Sequence, residues 1–250
     1  MLPWKPRSLA VAAVCVLVAS GSWRARADSL PPATLNAAQI VEQMQRHNEA
    51  RNEELKHYHS VRHYTVEYKG FTTIDAGMEV EVRYDSASGK TFRIVSQSGS
   101  KFLCDKVLKR AVDSEKEAAE DKSSTALTPA NYKFELLGEE RLGGRPAYIL
   151  NVEPLTDSKF LYRGRIWVDG ADFALVKVEA EPARNPSIWI SRTQINFTSA
   201  KTGDFWLPEQ NRSETKVRIG GTAVLTIRYG PYEVDPLVAS ASTAEAAGSR

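Results

Sequence analysis

The chain predicts an α+β fold that is mostly β: a curved antiparallel sheet, an incomplete barrel, with helices covering its concave face. Three observations predict it. From Arg163 to Tyr229 the sequence reads strand, turn, strand with little interruption. A second group of alternating segments lies between His63 and Val95. Helical spacing occurs in only two stretches, from Asn36 to about His57 and from Lys101 to Asp121. Period-two alternation bounded by Gly, Asp, Asn and Pro marks half-buried antiparallel strands, and the apolar face of such strands must be covered.

Residues 1–27 read as a secretory signal. Lys5 and Arg7 form a basic start, Leu9 to Ala19 is apolar, and Ala25-Arg26-Ala27 offers a cleavage site after Ala27. The apolar run falls short of the roughly 20 residues a membrane-spanning helix needs. An uncleaved N-terminal anchor is the alternative, because Arg24 and Arg26 are unusual so close to a cleavage site. Cys15 follows Val14 inside the apolar run, which is no lipobox, so the exported protein is expected to be soluble in the periplasm. Removing 27 of the 250 residues leaves about 223, ordinary for one all-β or α+β domain. The formal charge of +2 loses the four cations Lys5, Arg7, Arg24 and Arg26 and becomes about −2, which gives no electrostatic case for nucleic acid. Cys104 is then the single cysteine, so no internal disulfide forms. Its apolar flanks suggest a thiol buried on a helix face.

The mature chain reads as one domain over 28–236. After an extended lead-in at Asp28–Pro32, Asn36 and Gln39 resemble a capping box, and Ile40, Val41 and Met44 give the first helix an apolar stripe. Strands follow at His63–Tyr68, Met78–Tyr84 and Lys90–Val95. The second helix carries Leu103, Cys104, Val107, Leu108, Ala111 and Val112 on one side and turns polar beyond Asp113. Asp121–Pro129 reads as a loop. Eight or so strands come next, including separate segments at Tyr132–Leu137 and Glu139–Leu142 and at Phe205–Pro208 and Ser213–Ile219. Residues 237–250, rich in Ala and Ser, read as a disordered tail.

The search for chemistry argues against an enzyme. His57, His59 and His63 lie close together, and Glu67 could add a ligand, but a metal site needs a further His or Cys cluster that the sequence lacks. Solvated histidines at a helix-to-strand junction are the alternative. No G-x-S-x-G elbow and no glycine-rich phosphate loop opening a helix occurs. The acid pairs Glu79/Glu81 and Glu139-Glu140 sit on strand faces expected to meet solvent. No cofactor and no metal is expected.

Asn131-Tyr132-Lys133-Phe134, the run Tyr162 to Asp169, Phe205-Trp206-Leu207-Pro208 and the closing Leu225 to Tyr229 resemble bacterial outer-membrane lipoprotein-sorting proteins. That group shares the LolA/LolB-like fold with the N-terminal domain of a periplasmic sigma-factor regulator. The resemblance covers most of the mature chain, and its motifs are structural rather than catalytic. It implies an apolar cavity for acyl chains between sheet and helices. Candidate lining residues are Tyr64, Val66, Val80, Val82, Phe92 and Ile94 from the first strands. Tyr148, Leu150, Ile166, Val168, Val176, Val178 and Ile190 come from the later ones, with Trp167 and Trp206 as aromatic walls. The function implied is a monomeric periplasmic carrier of lipidated or amphiphilic ligands. The alternative is a non-catalytic regulatory or scaffold module of the same fold that binds an envelope protein partner.

Overall fold

The computed structural model describes residues 35–185, 188, 190–218 and 220–234. The signal segment, the lead-in at Asp28–Pro32 and the tail 237–250 lie outside the described residues.

Helix α1 (Ala37–Glu54) starts as the sequence predicts. The Asn36 side chain accepts from the Gln39 backbone N–H, and the Gln39 side chain accepts in return from the Asn36 N–H, which satisfies two orphan donors of the first turn. Strand β1 (His57–Lys69) begins almost at once, so the three clustered histidines stand in the first part of a strand directly after the helix. β1, β2 (Thr73–Asp85) and β3 (Gly89–Gly99) form a meander. A helical run follows: α2 (Lys101–Leu103), a π-helical turn (Cys104–Leu108) and α3 (Lys109–Glu120). The predicted loop contains a further short helix, α4 (Lys122–Thr125), because Asp121 caps the Ser124 N–H.

The second meander comprises β4 (Tyr132–Leu142), β5 (Arg145–Pro154), β6 (Tyr162–Asp169), β7 (Leu175–Pro182), β8 (Ile190–Thr202), β9 (Phe205–Val217) and β10 (Thr222–Val234). Two pairs of predicted strands are single strands. In β4 a bulge at Leu137, with Gly138 at φ 149°, interrupts the alternation without ending the strand. In β9 the polar stretch between Trp206 and Lys216 stays paired to β8.

All ten strands belong to one antiparallel sheet in the order β3-β2-β1-β10-β9-β8-β7-β6-β5-β4. The two meanders are joined only by the β1–β10 ladder, which runs from Tyr58 opposite Val234 to Lys69 opposite Thr222. β3 and β4 are the two free ends, so the barrel stays open. The joining ladder carries a register shift between Ser60 and Arg62, and there Gly230 lets the Val61 carbonyl approach its Cα so closely that any Cβ would collide with it.

Directly opposed residues on neighbouring strands point to the same side of a sheet. The register therefore puts Tyr64, Ile227, Asn211, Phe197, Val178, Ile166, Leu150 and Leu136 in one row on one face. α1 covers this face over β4–β8: Ile40, Val41 and Met44 pack on Leu150, Val152, Ile166, Val168 and Val178. The α2–α3 run covers it over β1–β3 and β10 with Leu103, Cys104, Leu108 and Val112. The two apolar clusters share no residue. Between them β9 is polar on this face, with Thr215 opposite Thr193, Ser213 opposite Ile195 and Asn211 opposite Phe197, and the two threonine hydroxyls 3.0 Å apart.

The turn from β6 to β7 explains the Trp-Val-Asp motif. Asp169, almost fully buried, accepts from Nε and Nη2 of Arg145 at 2.6 and 2.7 Å and from the backbone N–H groups of Ala171 and Asp172. Asp172 accepts from Arg145, Lys201 and the Trp206 indole. Arg51 of α1 donates to the carbonyls of Asp172 and Phe173, and His47 stacks on Phe173, so this turn also anchors the first helix. Burial opposes ionisation of Asp169, but Arg145 and the two N–H groups outweigh it and lower its pKa. The ammonium of Lys201 and the Trp206 indole lower that of Asp172.

A carboxylate whose folded pKa is depressed stabilises the fold above its unfolded pKa, about 4, and that contribution is lost as pH falls through the folded value. Denaturant unfolding between about pH 5 and 2 should therefore show stability falling with acid, and Arg145→Ala should make that dependence shallower. Gly230→Ala should lower stability by about 1–3 kcal/mol, from overpacking at the joining ladder, read as a lower thermal midpoint.

Candidate functional site: the helix-covered face

The face beneath α2–α3 gathers the first group of sequence candidates. Tyr64, Val66, Val80 and Val82 are at most 1% exposed and lie in the same cluster as the helical residues. Phe92 is partly buried beside them. Ile94, on the end strand β3, is 38% exposed. Beneath α1 lie Leu150, Ile166, Val168 and Val178, with Tyr148 partly buried and stacked on Phe173. Ile190 opposes Val217 at the start of β8 and belongs to neither cluster. In both halves helical side chains pack against these strand residues.

Three candidates lie elsewhere. Trp167 and Val176 pack with Ala147 and Ala174 on the opposite face, and Trp206 borders them. Alternation makes this unavoidable for Trp167, whose neighbours Ile166 and Val168 point to the helices. For Val176 the cause is a register shift where Val168 opposes Leu175 and Trp167 opposes Lys177. Lys177 and Arg165 cover the Trp167 ring, with Lys177 Nζ 4.2 Å from its centroid.

The histidines also occupy the opposite face, each with its own carboxylate. His57 Nδ1 is 2.9 Å from Asp85, His59 lies 3.2 Å from both Glu81 and Glu233, and His63 is 3.3 Å from Glu79. Among the described residues no group of three or more His, Cys, Asp and Glu could hold a metal ion. Cys104 is buried and free, as its flanks suggested. No helix among the described residues is long and apolar enough to cross a membrane.

The group that sequence reasoning missed is Arg62. It stands in the inward phase of β1, between Ser60 and Tyr64, and is 1% exposed. Its Nη1 donates to Glu115 of α3, and Tyr64 Oη donates to the other oxygen of that carboxylate at 3.3 Å. The guanidinium lies 4.7 Å from the Tyr229 ring centroid and 5.6 Å from that of Phe92, and its Nε has no hydrogen-bond partner. Burial works against its charge, but Glu115 outweighs burial and its pKa is raised. Burial pushes the Tyr58 and Tyr64 phenols up to about 12, and it raises Tyr229 and Tyr232 as well. The available signal was the phase. Tyr58, Ser60, Arg62, Tyr64 and Val66 alternate with exposed positions, and an arginine in such a series must find a partner inside.

Chemically, this site is an apolar face with one buried cation, closed by a helix that brings the counter-ion. Removing one member of a buried pair strands the other and costs about 3–5 kcal/mol, less where a partner is partly solvated. Glu115 is 24% exposed at its side chain, so Glu115→Ala should lose about 3 kcal/mol in denaturant unfolding. Arg62→Met/Glu115→Leu should recover most of that loss, because no charge is then left unpaired.

Residues 55–213, well over half of the chain, match the profile of a family described as the MucB/RseB N-terminal domain. No curated protein matches. Among solved structures, a putative outer membrane lipoprotein-sorting protein domain from Vibrio parahaemolyticus is similar at 15% identity, over 80% of this chain and 94% of that one, with a TM-score of 0.41. A DUF1329 family protein from Desulfovibrio piger reaches 13% identity over 81% and 94%, with a TM-score of 0.41. A LolA superfamily protein from Nitrosomonas europaea reaches 11% over 81% and 94%, with a TM-score of 0.34.

Proposed function

The chain belongs to the MucB/RseB N-terminal domain family, and from that premise we propose that it is a non-catalytic binding protein of the bacterial envelope that takes amphiphilic ligands beneath its α2–α3 helices. The observation that carries this reading is the division of one sheet face into two clusters, each under its own helix. An ordinary small domain has one contiguous core. Here the α2–α3 run can leave the sheet without disturbing the packing under α1.

Magnitudes select the ligand. Lifting α2–α3 exposes Leu103, Cys104, Leu108 and Val112 together with the strand residues beneath them, and each large apolar side chain is worth about 1.5–3 kcal/mol. Stranding Arg62 adds several kcal/mol more. A fully buried chain of about 16 carbons returns about 12 kcal/mol gross at about 0.8 kcal/mol per methylene. Summed over these side chains, opening costs more than one chain returns, so the ligand class is a lipid or lipidated protein with at least two acyl chains. Export to the periplasm, cleavage after Ala27 and the carrier role belong to the same proposal.

A second reading, a regulatory module for a protein partner, is supported by the close cover of the face: Tyr64, Val66, Val80, Val82, Leu150, Ile166, Val168 and Val178 are at 0–4% exposure beneath the helices. Native mass spectrometry of the protein purified from its own envelope should show a bound species with two or more acyl chains. Titration with a fluorescent diacyl lipid should give at least tenfold tighter binding than the matching single-chain lipid. Absence of any lipid adduct, with neither probe bound, would rule out the carrier reading and leave the partner-binding one.

A further inference from the structure

We propose that one end of the sheet is a docking surface for an anionic lipid bilayer, where Phe71 and Ile188 enter the headgroup layer and the cations between them meet lipid phosphates. This surface is formed by the connections between strands and requires no ligand beneath α2–α3.

The register brings these connections together. Lys69 opposes both Thr73 and Thr222, so the β1–β2 turn adjoins the β9–β10 connection, and Tyr68 Oη donates to the Gly220 carbonyl at 2.9 Å. Ile190 stands opposite Val217, which sets the β7–β8 connection beside them. The Ala183 N–H donates to the Leu161 carbonyl at 2.8 Å and adds the β5–β6 connection. The Ser100 N–H donates to the Asp75 carbonyl, so α2 also starts at this end.

Apolar side chains are exposed at this end and not at the other. Phe71 is 102% exposed, so its whole ring is available, and Ile188 is 79% exposed. Phe102 and Leu155 flank them, and together these are four of the seven exposed large hydrophobics among the described residues. The other three, Ile94, Val95 and Leu137, lie within the end strands. The turns at the opposite end hold none of the seven and carry Asp85, Asp172 and Asp204 instead. Such a concentration marks a contact surface.

Charge and spacing select the bilayer. Segments 69–72, 183–188 and 216–221 contain Lys69, Arg184, Lys216 and Arg218 and no Asp or Glu. Arg184, Lys216 and Arg218 are exposed. The nearest acids stand back or aside: Asp75 opposes Glu67 behind the first turn, and Asp157 lies on the β5–β6 connection. Four strand spacings separate the Phe71 turn from the Ile188 connection, roughly 19 Å at about 4.8 Å each. A protein interface gathers its apolar anchors into one desolvated core. A headgroup layer accepts apolar side chains that stand apart, and Lys and Arg among them are drawn to anionic lipids.

The test uses the chain in its exported form and unilamellar vesicles, either of phosphatidylcholine alone or of phosphatidylcholine with phosphatidylglycerol. Co-sedimentation should show binding about tenfold or more tighter to the anionic vesicles, weakening as salt rises. Phe71→Ser/Ile188→Ser and Arg184→Gln/Lys216→Gln/Arg218→Gln should each reduce that binding about tenfold. Neither set should move the thermal midpoint, because all five side chains are exposed. An environment-sensitive fluorophore attached at Thr72→Cys should shift to the blue when anionic vesicles are added. The same fluorophore at Ala87→Cys, on the opposite end, should not, and the buried Cys104 stays unlabelled. The proposal fails if the protein does not bind anionic vesicles, which would leave the exposed tips to a protein partner. It also fails if either multiple variant binds like the parent, or if the Ala87 label responds and the Thr72 label does not.

Discussion

The antiparallel ladder between β1 and β10 ties the beginning of the chain to its end, and the architecture follows from it. Without it the molecule would be two separate meanders, one of three strands and one of seven, each with its own apolar face. With it, ten strands share one face from β3 to β4. The local cost is visible at Ser60–Arg62, where the ladder shifts register and Gly230 gives the Val61 carbonyl room. One face, continuous over that width, asks for more cover than two helical segments supply as a single layer.

The chain divides the cover. α1 is tied down at its end by Arg51 and His47 on the β6–β7 turn, whose own shape is held by Asp169 and Arg145. The α2–α3 run has a different attachment: four apolar side chains, then a polar surface from which Glu115 reaches in to Arg62. A π-helical turn at Cys104–Leu108 interrupts it near its start, and such turns recur at functional positions in helices. A buried ion pair is weak evidence for stability, because desolvation consumes much of its attraction. It does define one seated geometry for the helix, and between the two covers β9 presents asparagine, serine and threonine to this face.

Much of the fold was legible in the sequence. The capping box at Asn36, the alternation of β2 and β5–β8 and the helical apolar series from Leu103 to Val112 are local signals that tertiary packing did not override. The misreadings also have local causes. β4 and β9 looked like pairs of strands because a bulge at Leu137 and a polar stretch after Pro208 break the pattern without breaking the ladder. The histidines read as a helix-to-strand junction because the helix is expected to run to about His57 and the alternation to begin only at His63, whereas the helix ends at Glu54 and β1 starts at His57. Of the candidate site, the residues in phase with Ile166 and Tyr64 came together beneath the helices. Trp167, Val176 and Trp206 did not, since composition ranks a tryptophan as a wall while the pleat decides which wall.

By itself the sequence determined that this protein is a meander with one face to hide, two helices to hide it and little catalytic equipment, because alternation, capping and turn chemistry act over a few residues. Only the tertiary structure decided which strands meet, that the hidden face is split between separate covers, and that an arginine in the middle of β1 is sealed under an acid from α3. Those facts depend on register between residues far apart in the chain. Moving a strand by one position would turn every side chain to the other face, and nothing in the local pattern of β1 names β10 as its neighbour.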